Sequence, residues 1–205
     1  GWEPTAEGPL PAYSVSGLHQ PFVLGDRMYI GYGSGNSGTL QVLDREKFLN
    51  GDPDAEDPFE PTPENLLYPQ ISRLDMPSYW GVHTAKPMLG VEVPDYRDDV
   101  GHSARDFLIV PSEAGGSAVY CRGVRDIVFF IDITEESNPY PVSTFQVPDE
   151  PGDYCGRGGR FGPHSVHDDY HPAFDHTLAL FSYFNAGVRA VDVRNPFQPV
   201  EVGYY

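Results

Sequence analysis

Three histidines occur in the same short phrase along the chain. The phrase is Gly-x-His followed by a polar residue, and its copies span 17–20, 81–84 and 162–165. Neutral imidazole nitrogens are ligands for zinc, copper, iron and nickel. If each phrase opens an equivalent structural unit, the rings of His19, His83 and His164 meet at one place. The sequence therefore predicts a divalent transition-metal centre, with the identity of the metal left open.

Other polar residues near these phrases are candidates for the same centre. His167 forms a His-x-x-His pair with His164 and is predicted as a fourth ligand. Glu113 and Asp168 are predicted as catalytic proton carriers, or as carboxylates that orient the imidazole rings. The competing interpretation is structural, because a repeated histidine can also hydrogen bond to the neighbouring unit.

The elements that would position these residues are short strands. After each histidine phrase the chain shows apolar strands separated by glycine-bearing turns, and the third strand of each unit ends in an aspartate: Asp44, Asp132 and Asp192. Three units of four antiparallel strands, over 17–77, 80–148 and 161–205, are typical of an all-β β-propeller. The whole chain, 1–205, is interpreted as one propeller region with three blades. A β-sandwich is the alternative, although it explains the repeated phrase less well.

A propeller closes with about four to eight blades, so three blades do not complete a ring. The predicted partners are therefore missing blades of the same precursor, a second chain, or further copies in a homo-oligomer. The chain also lacks an initiating methionine, which favours a processed product or a fragment.

Two stretches interrupt the pattern of strands. The first, 50–64, is rich in acidic residues and proline and predicts a solvated loop. The second, 92–105, is predicted as an insert between the first two strands of the middle unit.

Composition narrows the choice of partners. The chain of 205 residues carries 13 basic and 30 acidic residues, a formal net charge of -17. Nucleic acids and anionic membranes are not expected as partners, because they would repel a chain of this charge. No apolar run is long enough for a membrane span. The acidic balance is compatible with a secreted, a periplasmic or a salt-tolerant protein, and a periplasmic or secreted location is expected. Cys121 and Cys155 are expected to form a disulfide or to remain buried thiols.

The end of the third unit resembles a known repeat. Residues 185–196 read Asn-Ala-Gly-Val-Arg-Ala-Val-Asp-Val-Arg-Asn-Pro and are followed by a further strand at 199–203. A second copy lies at 131–142. This pattern resembles LVIVD-repeat proteins, and the resemblance implies a propeller but says little about activity. Propellers of similar architecture with inward histidines include the selenium-binding protein/methanethiol oxidase group and, more distantly, carotenoid oxygenases.

Two functions follow from these observations. In the first, the chain is a metal-dependent enzyme, an oxidoreductase or a hydrolase, whose metal activates oxygen or water on a small substrate. In the second, it is a non-catalytic propeller scaffold that binds a protein or glycan partner. Converging histidines at the propeller axis favour the enzyme, whereas scattered rings and an exposed aromatic rim favour the scaffold.

Overall fold

The computed structural model describes residues 18–33, 38–77, 79–93, 104–113, 125–148 and 151–205. These residues form three antiparallel sheets of four strands each, in which every strand pairs with the next along the chain. The predicted all-β architecture of three four-stranded blades is confirmed. The first sheet contains β1 (Phe22–Leu24), β2 (Arg27–Tyr32), β3 (Thr39–Asp44) and β4 (Gln70–Asp75).

The second and third sheets repeat this simple up-and-down order. The second contains β5 (Lys86–Glu92), β6 (Ala104–Pro111), β7 (Val128–Asp132) and β8 (Tyr140–Phe145). The third contains β9 (Phe161–Val166), β10 (Leu178–Phe184), β11 (Val188–Asp192) and β12 (Val200–Tyr204). The first strands of the first two sheets lie side by side, since Gln20, just before β1, forms a parallel bridge with Thr84, just before β5.

The second sheet packs against both of the other sheets. The side chains of its third strand, β7, are therefore apolar on both faces. Phe130 points into a core shared with Phe181 of the third sheet. Phe129 and Ile131 point the other way, into a core shared with Tyr29 of the first sheet. A strand covered on both faces has a continuous apolar sequence, as 127–133 shows. Each core therefore joins two neighbouring blades.

The aspartates that end the third strands have a structural role. Asp132 Oδ1 accepts a hydrogen bond from the backbone N–H of Thr134 at 2.9 Å, and Asp192 Oδ1 accepts one from that of Arg194 at 3.0 Å. Asp44 Oδ1 instead accepts the N–H of Lys47 at 3.0 Å. A short carboxylate that satisfies a backbone donor two or three residues on stabilises a turn or a helix start. The repeat therefore encodes the chain reversal after each third strand.

Two short helices lie at the two ends of the stretch 50–64, for which the sequence predicts a solvated loop. They are α1 (Arg45–Asn50) and α2 (Pro63–Leu67). Asp44 caps the first, and Thr62 caps the second, which begins with proline. Helices of five or six residues have little hydrophobic periodicity to detect, so only their caps signalled them.

Candidate metal centre

Two backbone contacts position His83 beside the first blade and beside β6. The parallel bridge between Gln20 and Thr84 places the neighbouring His19 and His83 side by side. The backbone N–H of His83 donates to the carbonyl of Pro111 at 3.0 Å. Because β6 ends at Pro111, this bond also brings Glu113 close to His83.

His19, His83 and Glu113 form the group of donors that can hold a metal ion. One ligand atom from each lies within 4.8 Å of the other two. The ring centroids of His19 and His83 are 4.0 Å apart, and those of His83 and His164 are 4.6 Å apart. The three repeated histidines therefore come together, with His164 at the edge of the donor group.

Glu113 is the buried acid at the middle of this cluster. Its Oε2 lies 3.4 Å from His19 Nε2, and its Oε1 lies 3.6 Å from His164 Nε2. Arg160 Nη1 donates to the same Oε1 at 2.9 Å. The sequence predicted Glu113 as an orienting or proton-carrying group, and the structure places it among the donors themselves.

The protonation of His83 suits a metal ligand. Burial, with added repulsion from the rings of His19 and His164, lowers the pKa of His83 to about 3. The ring is therefore neutral at physiological pH and keeps a lone pair for coordination. Its Nδ1 is buried without a hydrogen-bond partner. An unsatisfied buried nitrogen is costly, so a bound cation would supply the partner that the protein does not.

Phe184 and Arg160 form the wall next to His164. The Phe184 ring stacks on His164 with centroids 5.0 Å apart, and the guanidinium of Arg160 lies 5.0 Å from the centre of the same ring. These contacts fix the His164 ring, although more than a third of the His164 side chain stays exposed. The open side of the cluster is therefore at His164.

His167 makes other contacts. The backbone N–H of Leu180 donates to His167 Nδ1 at 3.0 Å, so the neutral ring carries its proton on Nε2. That nitrogen lies 3.0 Å from Lys86 Nζ. The amine also donates to the carbonyls of His167 and Asp169. Both ring nitrogens of His167 thus have contacts between the second and third sheets, and the donor group found among the described residues does not include His167.

These contacts hold the amine of Lys86, because its Nζ donates to two backbone carbonyls and lies beside the His167 ring. Burial lowers the pKa of Lys86 to about 8, against the opposing attraction of nearby aspartates. Lys86 and His167 therefore form a hydrogen-bonded link between sheets.

Asp168 lies beside the first blade. Its Oδ2 accepts a long hydrogen bond of 3.5 Å from Gln20 Nε2. Together with His167, Asp168 lines a cavity of about 270 Å³ at the third sheet. Among the contacts of the described residues, none joins Asp168 to the donor group.

The sequence did not single out Asp126. Its Oδ1 accepts a hydrogen bond from Ser112 Oγ at 2.9 Å. Burial, reinforced by the nearby charge of Glu113, raises the pKa of Asp126 to about 6. A carboxyl that titrates near neutral pH beside the cluster is suited to proton transfer. No spacing pattern signalled it, because it lies between two strands outside the repeated phrase.

Three wider observations complete the description of the site. Comparison of the sequence with models of known protein families and with curated proteins finds no match in either. Within the described ranges, neither helix has the length or apolarity needed to cross a membrane. Cys155 is in a disulfide, and Cys121, the other cysteine of the chain, lies outside the described residues.

Proposed function

We propose that this protein is a metal-dependent propeller enzyme whose axial cluster activates water or oxygen on a small substrate. The observation that carries the proposal is the three-donor group of His19, His83 and Glu113. Two histidines and a carboxylate hold catalytic zinc in metalloproteases and iron(II) in oxygenases. Both classes leave coordination positions open for water, oxygen or substrate.

The surroundings of the group support this chemistry. His83 is kept neutral by burial, and its Nδ1 has no partner. Asp126 has a pKa raised mainly by burial and interacts with the charge of Glu113, so it is a candidate for exchanging a proton with a metal-bound ligand. Arg160 holds Glu113 in place before the metal binds. The exposed side of His164 gives a substrate access to the cluster.

The test is elemental analysis after purification without a metal-affinity tag, followed by loading with zinc, copper, iron(II) or nickel. We expect near-stoichiometric binding of one of these metals. His19→Ala, His83→Ala and Glu113→Gln should each lose it, while His171→Ala, on a loop outside the cluster, should retain it. Since His19 is partly exposed, its variant also tests binding without disturbing a buried side chain.

Two results would refute the metal centre. One is the absence of stoichiometric binding for all four metals. The other is full metal retention in the folded His83→Ala and Glu113→Gln variants. The identity of the bound metal determines which activity to assay. If zinc binds, we would measure ester and amide hydrolysis, and if iron or copper binds, we would measure oxygen consumption.

A second candidate function is a scaffold for a protein partner. The observation that favours it is the exposed outer strand β12, on which Val200, Val202 and Tyr204 are each more than half exposed. Neighbouring apolar side chains on an edge strand favour association with another protein or a further blade. A propeller completed in this way, by the same precursor, a second chain or another copy, would still contain the axial cluster.

We place the protein in the periplasm or outside the cell. The disulfide of Cys155 supports this location, because disulfides persist in oxidising compartments. Thiol labelling of protein isolated under acid quench tests it, and labelling of both cysteines without prior reduction would refute it.

A further inference from the structure

The connection between β3 and β4 encloses a cavity that the metal centre does not use. Its volume is about 490 Å³, within the range of pockets that hold small organic ligands. Six apolar side chains form most of its wall: Phe48, Pro58, Phe59, Pro61, Leu66 and Pro69. We call this space the insert cavity.

The insert cavity is preformed, because local hydrogen bonds hold its walls. Asn65 Nδ2 donates to the carbonyls of Asp57 and Glu60 at 2.8 and 2.9 Å. Gly51 ends α1 with φ 70°, and a methyl group at this position would lie 2.5 Å from Pro58 Cβ. Glycine thus allows Pro58 to close against the end of the helix. A ligand would meet these walls without having to order them.

The charge around the insert cavity is strongly negative. Residues 45–64 contain seven acidic and two basic residues. Both basic side chains have partners: Arg45 lies 3.6 Å from Asp26, and Lys47 Nζ lies 5.1 Å from the centre of the Tyr68 ring. Glu60 and Lys47 both line the cavity, so its negative charge comes from Glu60 together with the acidic residues around it. An apolar pocket with this charge attracts cations and repels anions.

We propose that the insert cavity binds an amphiphilic organic cation, meaning an aromatic or branched aliphatic group that carries a protonated amine. The apolar part packs among Phe48, Phe59 and Leu66, and the ammonium group lies toward Glu60. Phe59 is 68% exposed without a ligand, so binding removes aromatic surface from water. This inference is independent of the metal centre.

The test uses three probes of similar shape and different charge: 2-phenylethylammonium, 2-phenylethanol and 3-phenylpropanoate. Each is titrated near neutral pH and at low salt into the ¹⁵N-labelled protein while amide shifts are followed by NMR. We expect saturable shifts at Lys47, Phe59 and Asn65. The ammonium probe should bind roughly two- to fivefold more tightly than the alcohol, as expected for one partly exposed ion pair. The carboxylate should bind most weakly.

Two matched pairs of variants test the site itself. Glu60→Gln should abolish the preference for the cation, whereas Glu64→Gln, which removes the same charge outside the cavity, should retain it. Phe59→Ala should weaken binding of all three probes, and Leu67→Ala, another exposed apolar residue of the insert, should not. The proposal is overturned if the carboxylate binds as tightly as the ammonium. It is equally overturned if no probe gives saturable shifts in the insert, or if the two glutamate variants behave alike.

Discussion

Gly31 links the packing of the first two blades to the geometry of the cluster. A methyl group on Gly31 would lie 2.7 Å from both Val82 Cγ1 and Val82 O. Ordinary contact begins near 3.4 Å, so β2 and the segment that contains Val82 would have to separate by about 0.7 Å at this point. Because Val82 O belongs to the backbone, a change of rotamer does not relieve the contact. The displaced segment carries His83, the buried ligand candidate.

We therefore expect Gly31→Ala to have two measurable effects. Overpacking of this size costs about 1–3 kcal/mol of unfolding free energy, equivalent to a melting temperature lower by roughly 2–12 °C for a chain of this length. Displacing a ligand through its supporting residue lowers metal affinity by about tenfold or more. Urea denaturation measures the first effect, and isothermal titration with the metal identified by elemental analysis measures the second.

The control is Gly203→Ala in β12. A methyl group there would approach only Ala190 Cβ, at 3.9 Å, which is ordinary contact. This variant should be unchanged or more stable by up to about 1 kcal/mol, because alanine restricts the unfolded chain. An unchanged urea midpoint for Gly31→Ala would refute the packing argument. A lower midpoint with unchanged metal affinity would show that Val82 does not position His83.

Three further predictions concern charge and packing. Arg160→Gln should lower metal affinity by about tenfold, since it removes the guanidinium that holds Glu113 Oε1; unchanged or tighter binding by titration calorimetry would contradict this role. The raised pKa of Asp126 means that the folded state binds its proton more tightly than the unfolded state does, so its contribution to stability increases as pH falls from about 6 to 4. Asp126→Asn should therefore reduce the gain in unfolding free energy between pH 7 and 5 by roughly 1 kcal/mol, and equal pH dependence in urea melts of parent and variant would argue against it. Phe181→Ala, in the core between the second and third sheets, should cost about 3–5 kcal/mol in the same assay, whereas the exposed Leu49→Ala should cost less than about 0.5; similar losses would contradict the assigned core.

Local patterns were sufficient for the sheets. Short apolar strands, glycine-bearing turns and the recurring aspartates predicted three units of four strands. Each of these features depends only on residues that are close in sequence or that belong to the same sheet. The helices α1 and α2 were missed because they are too short to show periodicity.

The candidate centre was predicted only in part. Since the repeated phrase has the same place in every blade, the approach of His19, His83 and His164 followed from the repeat itself. The separate contacts of His167 with Lys86 did not, because they depend on how the third sheet rotates against the second. The His-x-x-His spacing does not distinguish two rings that meet at one site from two rings that have separate partners.

The sequence by itself determined which residues repeat, and therefore the blades, their turns and the identity of the converging imidazoles. Only the tertiary structure decided that Glu113 joins the donors, that Arg160 holds it, and that burial keeps His83 neutral. The reason is physical: a strand pattern is a property of neighbouring residues. Burial, lost hydration and ion pairing arise from segments that are distant in sequence and meet only when the sheets pack.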